Sequence, residues 1–207
     1  MGKSNQIYIV VPTFNEAENI PQLAASLFSL PLEGVHLLVV DDNSPDGTGE
    51  IAENLSRDFQ GCIHVLHRVG KKGLGTAYIE GFQKALELGA DVIIQMDADF
   101  SHPPKKILEL IKGLKESDVV LGSRYIPGGH LDEQWPLWRK GLSAFGNLYA
   151  KTILRLPVND ATGGFRAWRK ETLIGMPLDP LRGSSRDEAR FQNPRVPLPA
   201  AVAKRDG

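Results

Sequence analysis

Short apolar runs alternate along this chain with stretches in which apolar residues recur every three or four positions. Ile7-Tyr8-Ile9-Val10-Val11 is an unbroken apolar run ended by Pro12, the pattern of a central parallel strand covered on both faces. Ile20, Leu23 and Leu27 then mark one helical stripe. Pro21 is tolerated only in a first turn, so this helix is expected to start near Glu18. Residues 35–40 form a second strand, Pro45-Asp46-Gly47 a turn, and Ile51, Ala52 and Leu55 the next helix. Residues 63–66 read as a third strand, followed by the loop Gly70-Lys71-Lys72-Gly73-Leu74-Gly75. A helix with Tyr78, Phe82, Ala85 and Leu86 comes next and closes at Gly89. A fourth strand starts at Val92, a stripe of Ile107, Leu108, Ile111 and Leu114 follows, and residues 118–122 are a further strand. Repeated β-α units of this kind predict an α/β domain with a doubly wound, mostly parallel sheet and helices on both faces.

The later part of the chain is less regular. Residues 128–138 carry glycines, His130 and two tryptophans without a period, a length of loop that is usually functional or mobile. Leu142, Phe145, Tyr149 and Ile153 have helical spacing and suit a core. Asp160-Ala161-Thr162-Gly163-Gly164-Phe165-Arg166 reads as a polar turn before a short helix with Leu173 and Ile174. Residues 180–207 hold prolines, charges and small residues with no period, and are expected to be a disordered tail.

In a doubly wound sheet, ligands bind at the carboxyl ends of the strands. Three polar segments leave strand ends here: Pro12-Thr13-Phe14-Asn15-Glu16, Asp41-Asp42-Asn43-Ser44, and Asp97-Ala98-Asp99-Phe100-Ser101. The last is the most informative. Alternate residues of a strand project to one side, so Asp97 and Asp99 at a strand end can share one divalent cation that carries a diphosphate. Two solvated acids are the plain alternative. At the first exit, Asn15 and Glu16 suit a helix cap, or else Phe14 and Glu16 meet a bound base or ribose. At the second, Asp42, Asn43 and Ser44 suit capping and turn formation, yet two adjacent acids repel, which favours a carboxylate that accepts from a ligand.

Gly73-Leu74-Gly75 lacks the spacing of a phosphate loop, so its glycines are assigned to strand–helix packing and Lys71 and Lys72 to solvent, with a diphosphate contact from one of the two lysines as the alternative. Arg124 ends a strand, and a guanidinium suits phosphate; Arg139, Lys140, Arg166 and Arg169 are further candidates for an anionic site, against the plain alternative of a surface cation, which is preferred for Lys140 and Arg169. His102 either ligates a metal or orients the Pro103-Pro104 turn.

Composition narrows the classes. A net charge of -1 gives no basic field for nucleic acid. The single cysteine, Cys62, rules out an intramolecular disulfide or a multi-cysteine zinc site, fits a reducing compartment, and reads as a buried residue on a strand. No signal peptide is evident, and Gln6 stands where N-myristoylation wants Ser or Thr. No apolar run reaches the roughly 20 residues of a spanning helix, so membrane contact is expected to be peripheral.

Six ordered motifs together resemble family 2 glycosyltransferases of the GT-A (Rossmann-like) fold, in particular the dolichol-phosphate or polyprenol-phosphate mannosyltransferase group. They are Val11-Pro12-Thr13-Phe14-Asn15-Glu16, Val40-Asp41-Asp42-Asn43-Ser44-Pro45-Asp46-Gly47-Thr48, Lys72-Gly73-Leu74-Gly75, Met96 to Pro104, Gly122-Ser123-Arg124-Tyr125 and Gly163-Gly164-Phe165-Arg166. The resemblance implies a catalytic domain over residues 1–179. Pro12, Phe14, Glu16, Val40 and Asp42 would line the nucleotide pocket, with Phe14 in place of a usual Tyr. Asp97 and Asp99 would hold Mg²⁺ or Mn²⁺ and the diphosphate, Ala98 would give a close backbone contact, and Ser101 replaces a Gln of some members. Arg124, Arg139 and Ser143 match positions that hold the lipid phosphate.

The implied reaction is inverting and metal-dependent: mannose moves from GDP-mannose to a dolichyl or polyprenyl phosphate, with Asp99, Arg124 and Arg139 as the catalytic set. UDP-glucose as donor, or an inactive nucleotide-sugar-binding remnant, are the alternatives. The implied location is the cytoplasmic face of a membrane. After Asp179 the family pattern has no counterpart here, so residues 180–207 are expected to be an aberrant tail from a frameshift or truncation. Resequencing the locus tests this, since lack of a downstream frame for the missing helix would count against it.

Overall fold

The computed structural model describes residues 4–59, 61–122, 164–176 and 178. Among them, β1 (Ile7–Thr13), β2 (Val35–Asp41), β3 (Ile63–His67), β4 (Val92–Gln95), β5 (Val119–Leu121) and β6 (Arg166–Arg169) form one sheet in the order β3-β2-β1-β4-β6-β5. β1 pairs in parallel with β2 and β4, and β2 with β3. β6 runs antiparallel to both β4 and β5, so five strands share one direction and one opposes them. The helices are α1 (Asn19–Phe28), α2 (Thr48–Asp58), α3 (Leu74–Glu87), α4 (Ile107–Gly113) and α5 (Lys170–Ile174), with a 3-10 turn over Pro104–Lys106. The expected α/β architecture is thus present, and α1 starts beside Glu18 with Pro21 in its first turn.

Period-two alternation divides the core into two layers. Ile7, Ile9 and Val11 of β1 face a layer built with Leu23 and Leu27 of α1, Ala52 of α2 and Leu110 of α4. Tyr8 and Val10 face the other, built with Ala77, Phe82 and Ala85 of α3 and Leu173 of α5. Both faces of the central strands are therefore buried, which is why β1 reads as an unbroken apolar run and β2 as one interrupted, before its terminal Asp41, only by His36. Gly81 brings α3 close to the sheet: a Cβ there would lie 2.5 Å from Val10 Cγ1 and 2.9 Å from Val40 Cγ2.

Two local expectations are corrected. The strand β6 replaces what reads as the end of a polar turn; Ala167 and Trp168 are buried in the sheet, and Arg166 lies opposite Gln95. Cys62 precedes β3 rather than lying within it and is only partly buried.

The strand order places the functional edge. From β1 the chain builds outward to β2 and β3, then crosses back to lay β4 on the other side of β1. The crevice at such a reversal lies at the carboxyl ends of β1 and β4.

Near the opposite ends of the strands, Tyr8, His36 and His64 stack. The Tyr8 and His36 rings are 4.6 Å apart and 7° from parallel, and His64 Nε2 lies 3.3 Å from His36 Nδ1. His36 Nε2 lies 2.9 Å from Gln6 Oε1. Two neutral rings satisfy this chain, with His64 donating to His36 and His36 donating to Gln6. Burial holds both imidazoles below the ordinary 6.5, aided at His36 by His64 and at His64 by Lys84. A histidine with a depressed folded pKa binds fewer protons folded than unfolded. Its stabilising contribution is complete above about pH 6.5 and is lost as pH falls below that value. Urea midpoints should therefore drop between pH 7 and pH 5, and a His36→Asn/His64→Asn variant should flatten that slope. An unchanged slope would remove the pair as its source.

Candidate active site

The three expected strand exits converge on one edge, and each contains a residue in left-handed backbone conformation. Asn15 follows β1 with φ 62°, Asn43 follows β2 with φ 58°, and Phe100 follows β4 with φ 57°. Asn tolerates this region, but a bulky aromatic does so only at a cost of about 1–3 kcal/mol, the kind of strain that collects at functional sites.

The first two exits are sewn together by short polar side chains. Asp41 Oδ1 accepts from Thr13 Oγ1 at 3.2 Å and from Ser44 Oγ at 2.5 Å, and Asp41 Oδ2 accepts from Ser44 N at 3.2 Å. Asn15 N donates to Ser44 Oγ, Glu16 N to Thr48 Oγ1, and Ala17 N to Asp46 Oδ2. The run from Asp41 to Thr48 is thus a clamp on residues 13–17. Asp41, rather than Asp42, carries the turn-forming role that the sequence left with its neighbour. Gly49 permits this closeness, since a Cβ there would sit 3.0 Å from Asp41 Oδ2.

Asp42 points elsewhere. Its carboxylate pairs with Arg68, whose side chain is 1% exposed. Arg68 Nη2 also donates to Thr76 Oγ1 at 2.6 Å, and its Nε to Glu80 Oε2 at 3.0 Å. Thr76 Oγ1 in turn donates to the carbonyl of Gly73 at 2.8 Å. Burial raises the Asp42 carboxyl above its ordinary range, Arg68 opposes the rise, and Asp41 and Glu80 add to it. One buried guanidinium therefore ties the β2 exit to the start of α3. Gly73 at that start has φ 101°, so the need for glycine there is conformational rather than the packing expected of it.

The carboxylate pair does not lie within the strand. β4 ends at Gln95, and Asp97, Ala98 and Asp99 occupy the turn beyond it. Alternation along a strand therefore does not set their directions; a turn contact at Asp99 and a contact from α3 at Asp97 do. Asp99 is exposed, and its Oδ1 accepts from Ser101 N at 3.0 Å. Asp97 Oδ1 accepts from the Tyr78 hydroxyl at 2.8 Å. Burial first, and then the Asp97 charge, raises the Tyr78 phenol well above its ordinary value, so it acts as a donor. On the other side, a Cβ at Gly164 would lie 3.1 Å from Asp97 Oδ2. Two carboxylates on one turn, with a cradle that a methyl group would fill, fit Mg²⁺ or Mn²⁺, which take few protein oxygens and complete their shell with phosphate and water. Among the described residues no cluster of three Asp, Glu, His or Cys is present.

The remaining candidates sort by position. Phe14 is 37% exposed at the edge, with Lys71 Nζ 4.1 Å from its ring centre, so Lys71 is not simply solvated. Glu16 Oε2 accepts from Asn19 Nδ2 at 2.6 Å at the head of α1. Pro12 is half-buried, but Val40 is fully buried against α3, so Val40 can meet a ligand only through its backbone. Ala98 is likewise buried, with its methyl in the core. The His102 ring stacks on Phe165, 4.9 Å between centres and 11° from parallel, which joins the β4 exit to the start of β6. Arg166 is buried in the sheet, and Arg169 pairs with Asp118 and the carbonyl of Leu114. Arg124, Arg139, Lys140, Ser143, the loop at 128–138 and the tail at 180–207 lie outside the described residues.

Residues 8–175 match the family model described as glycosyl transferase family 2. The undecaprenyl-phosphate mannosyltransferase of Micrococcus luteus is 43% identical over 176 residues, covering 85% of this chain and 71% of that protein. The polyprenol monophosphomannose synthase of Mycolicibacterium smegmatis is 42% identical over 166 residues, covering 80% of this chain and 62% of its own length. The chain thus spans about two thirds of the length of these curated relatives. Among solved structures, a mannosyltransferase from Pyrobaculum calidifontis in complex with GDP-Man and Mn²⁺ superposes with a TM-score of 0.54 at 16% identity, over 91% of this chain and 51% of that one. That likeness shows the shared fold. Taken with the sequence match and the convergence of three polar strand exits on one sheet edge, it leaves one assignment: the chain belongs to glycosyl transferase family 2.

Proposed function

We propose that the chain binds a nucleotide sugar across the exits of β1, β2 and β4 and serves the transfer of mannose from GDP-mannose to a polyprenyl or dolichyl phosphate. The observation that carries this reading is the Asp97-Ala98-Asp99 turn, which sits at the crevice where the strand order reverses. The names of the two relatives and the GDP-Man bound in the Pyrobaculum structure support the sugar, the donor and the acceptor.

In this reading Asp97 and Asp99 hold Mg²⁺ or Mn²⁺. The bound ion supplies neutralisation of charge on the nucleoside diphosphate leaving group. Phe14 and Glu16 flank the base and ribose, with Pro12 and the Val40 backbone beside them. Asp42, held by Arg68, is proposed to line the same half of the crevice. The acceptor phosphate is anionic at neutral pH and needs no strong base, so the chain's task is alignment, worth several kcal/mol as an order of magnitude. Arg124, Arg139 and Ser143 are proposed to hold that phosphate opposite the leaving group. A single displacement at an oxocarbenium-like carbon then inverts the sugar. Among the described residues no helix is long and apolar enough to cross a membrane, so contact with the lipid acceptor is proposed to be peripheral, at the cytoplasmic face.

A transfer assay with radiolabelled GDP-mannose, polyprenyl phosphate and Mn²⁺ tests the proposal. Labelled lipid that disappears on chelation, with GDP competing better than UDP, is the expected result. Better competition by UDP would point to UDP-glucose as donor, and binding of GDP without transfer would reduce the chain to a nucleotide-sugar-binding unit.

A further inference from the structure

Tyr78 lies on the buried face of α3, where its spacing with Phe82 and Ala85 marks it as a core residue. It is 2% exposed, yet its hydroxyl is not spent on the core: it donates to Asp97 Oδ1 at 2.8 Å. The other oxygen of the same carboxylate, Oδ2, faces Gly164, where a Cβ would come within 3.1 Å. One side of Asp97 is therefore occupied by a donor from α3, and the other faces the entry to β6, where Gly164 approaches so closely that a side chain would crowd Oδ2. A phenol fixed in a helix that packs on the sheet through Gly81 has little freedom, so it fixes the rotation of the carboxylate as well.

We propose that Tyr78 is a positioning residue for the metal end of the site: its hydroxyl takes up Asp97 Oδ1 and leaves Oδ2, the oxygen that a side chain at position 164 would crowd, for the divalent cation. This rests on the reading of Asp97 as a metal ligand. It adds the residue that orients that ligand, the oxygen that is used, and a reason for glycine at position 164.

The test is Mn²⁺ binding to the full chain, read as free Mn²⁺ by electron paramagnetic resonance, with and without GDP. The variants are Tyr78→Phe, Gly164→Ala and Asp97→Ala, each checked for folding by circular dichroism. Tyr78→Phe keeps the ring and its packing, and should weaken Mn²⁺ binding about tenfold or more, the usual effect of removing a partner behind a metal ligand. Binding of GDP without metal should not change. Gly164→Ala should weaken Mn²⁺ binding too, although the phenol is untouched, and it carries the test should Tyr78→Phe not fold. Asp97→Ala should remove the site. Wild-type affinity in folded Tyr78→Phe, or in Gly164→Ala, overturns this inference alone. No Mn²⁺ binding by the wild-type chain, or full binding by Asp97→Ala, overturns the metal reading and this inference with it.

Discussion

Asp99→Ala is expected to abolish metal-dependent mannosyl transfer and leave the fold intact. Asp99 stands in the turn beyond β4, exposed, and its carboxylate accepts from Ser101 N within that turn. Its removal takes no apolar surface from either core layer. The cost in stability should stay near 0.5 kcal/mol, as for other surface substitutions. The cost in activity is of another order. Loss of a charged ligand beside a leaving diphosphate removes several kcal/mol of stabilisation that is made only as the bond breaks, so the turnover number should fall by about 10³ or more. The pairing of a large kinetic loss with an unchanged thermal midpoint separates a chemical role from a structural one. Asp99→Asn, isosteric and uncharged, should fail in the same way. Activity close to wild type in either variant would remove Asp99 from the metal site.

How much of this site could be read from the chain depends on how local each cue is. β1 and β4 announce themselves because both faces are buried, and an unbroken apolar run has no other easy explanation; β2 is interrupted before its end only by His36. Their polar exits were legible for the same reason: acids directly after such a run have no core to join. β6 was not legible. It is four residues long, with arginine at both ends, and it exists because β4 and β5 pair with it from distant parts of the chain. The same pairing ends β4, since the ladder stops at Gln95 opposite Arg166, and that puts Asp97 and Asp99 on a turn rather than a strand. Strand alternation is therefore not what sets the directions of these two carboxylates.

The division of labour between Asp41 and Asp42 is set by the fold alone, because adjacent acids differ only in what the fold brings to each. Tyr78 has a correct but incomplete reading: its period places it in the core, and nothing local says that its hydroxyl reaches across to Asp97. Arg68 carried no sequence signal at all. Its partners lie 26 residues before it and 8 and 12 residues after it, and a single arginine after a strand is ordinary.

Arg68→Met is expected to be among the most destabilising substitutions in the chain, at about 3–5 kcal/mol in urea unfolding. The reason is not that a buried ion pair is strongly stabilising, because withdrawing both charges from water offsets most of what their attraction returns. It is that the variant leaves the Asp42 carboxylate, 8% exposed at its side chain, without its cation, while Glu80 and Thr76 lose a partner as well. Arg68→Lys should recover only part of the loss, since one ammonium cannot reach Asp42, Thr76 and Glu80 together as the planar guanidinium does. Adding Asp42→Asn to Arg68→Met should restore a share of the stability, which marks the unpaired charge as the cause. The effect should extend to the site, because Arg68 joins the β2 exit to Thr76 and through it to Gly73. With that tie cut, GDP binding should weaken even at temperatures where Arg68→Met remains folded, whereas Mn²⁺ binding at Asp97 and Asp99 should change little. A stability loss under about 1 kcal/mol would mean that water reaches Asp42 freely, and the view of Arg68 as the pin of the nucleotide half of the crevice would fail.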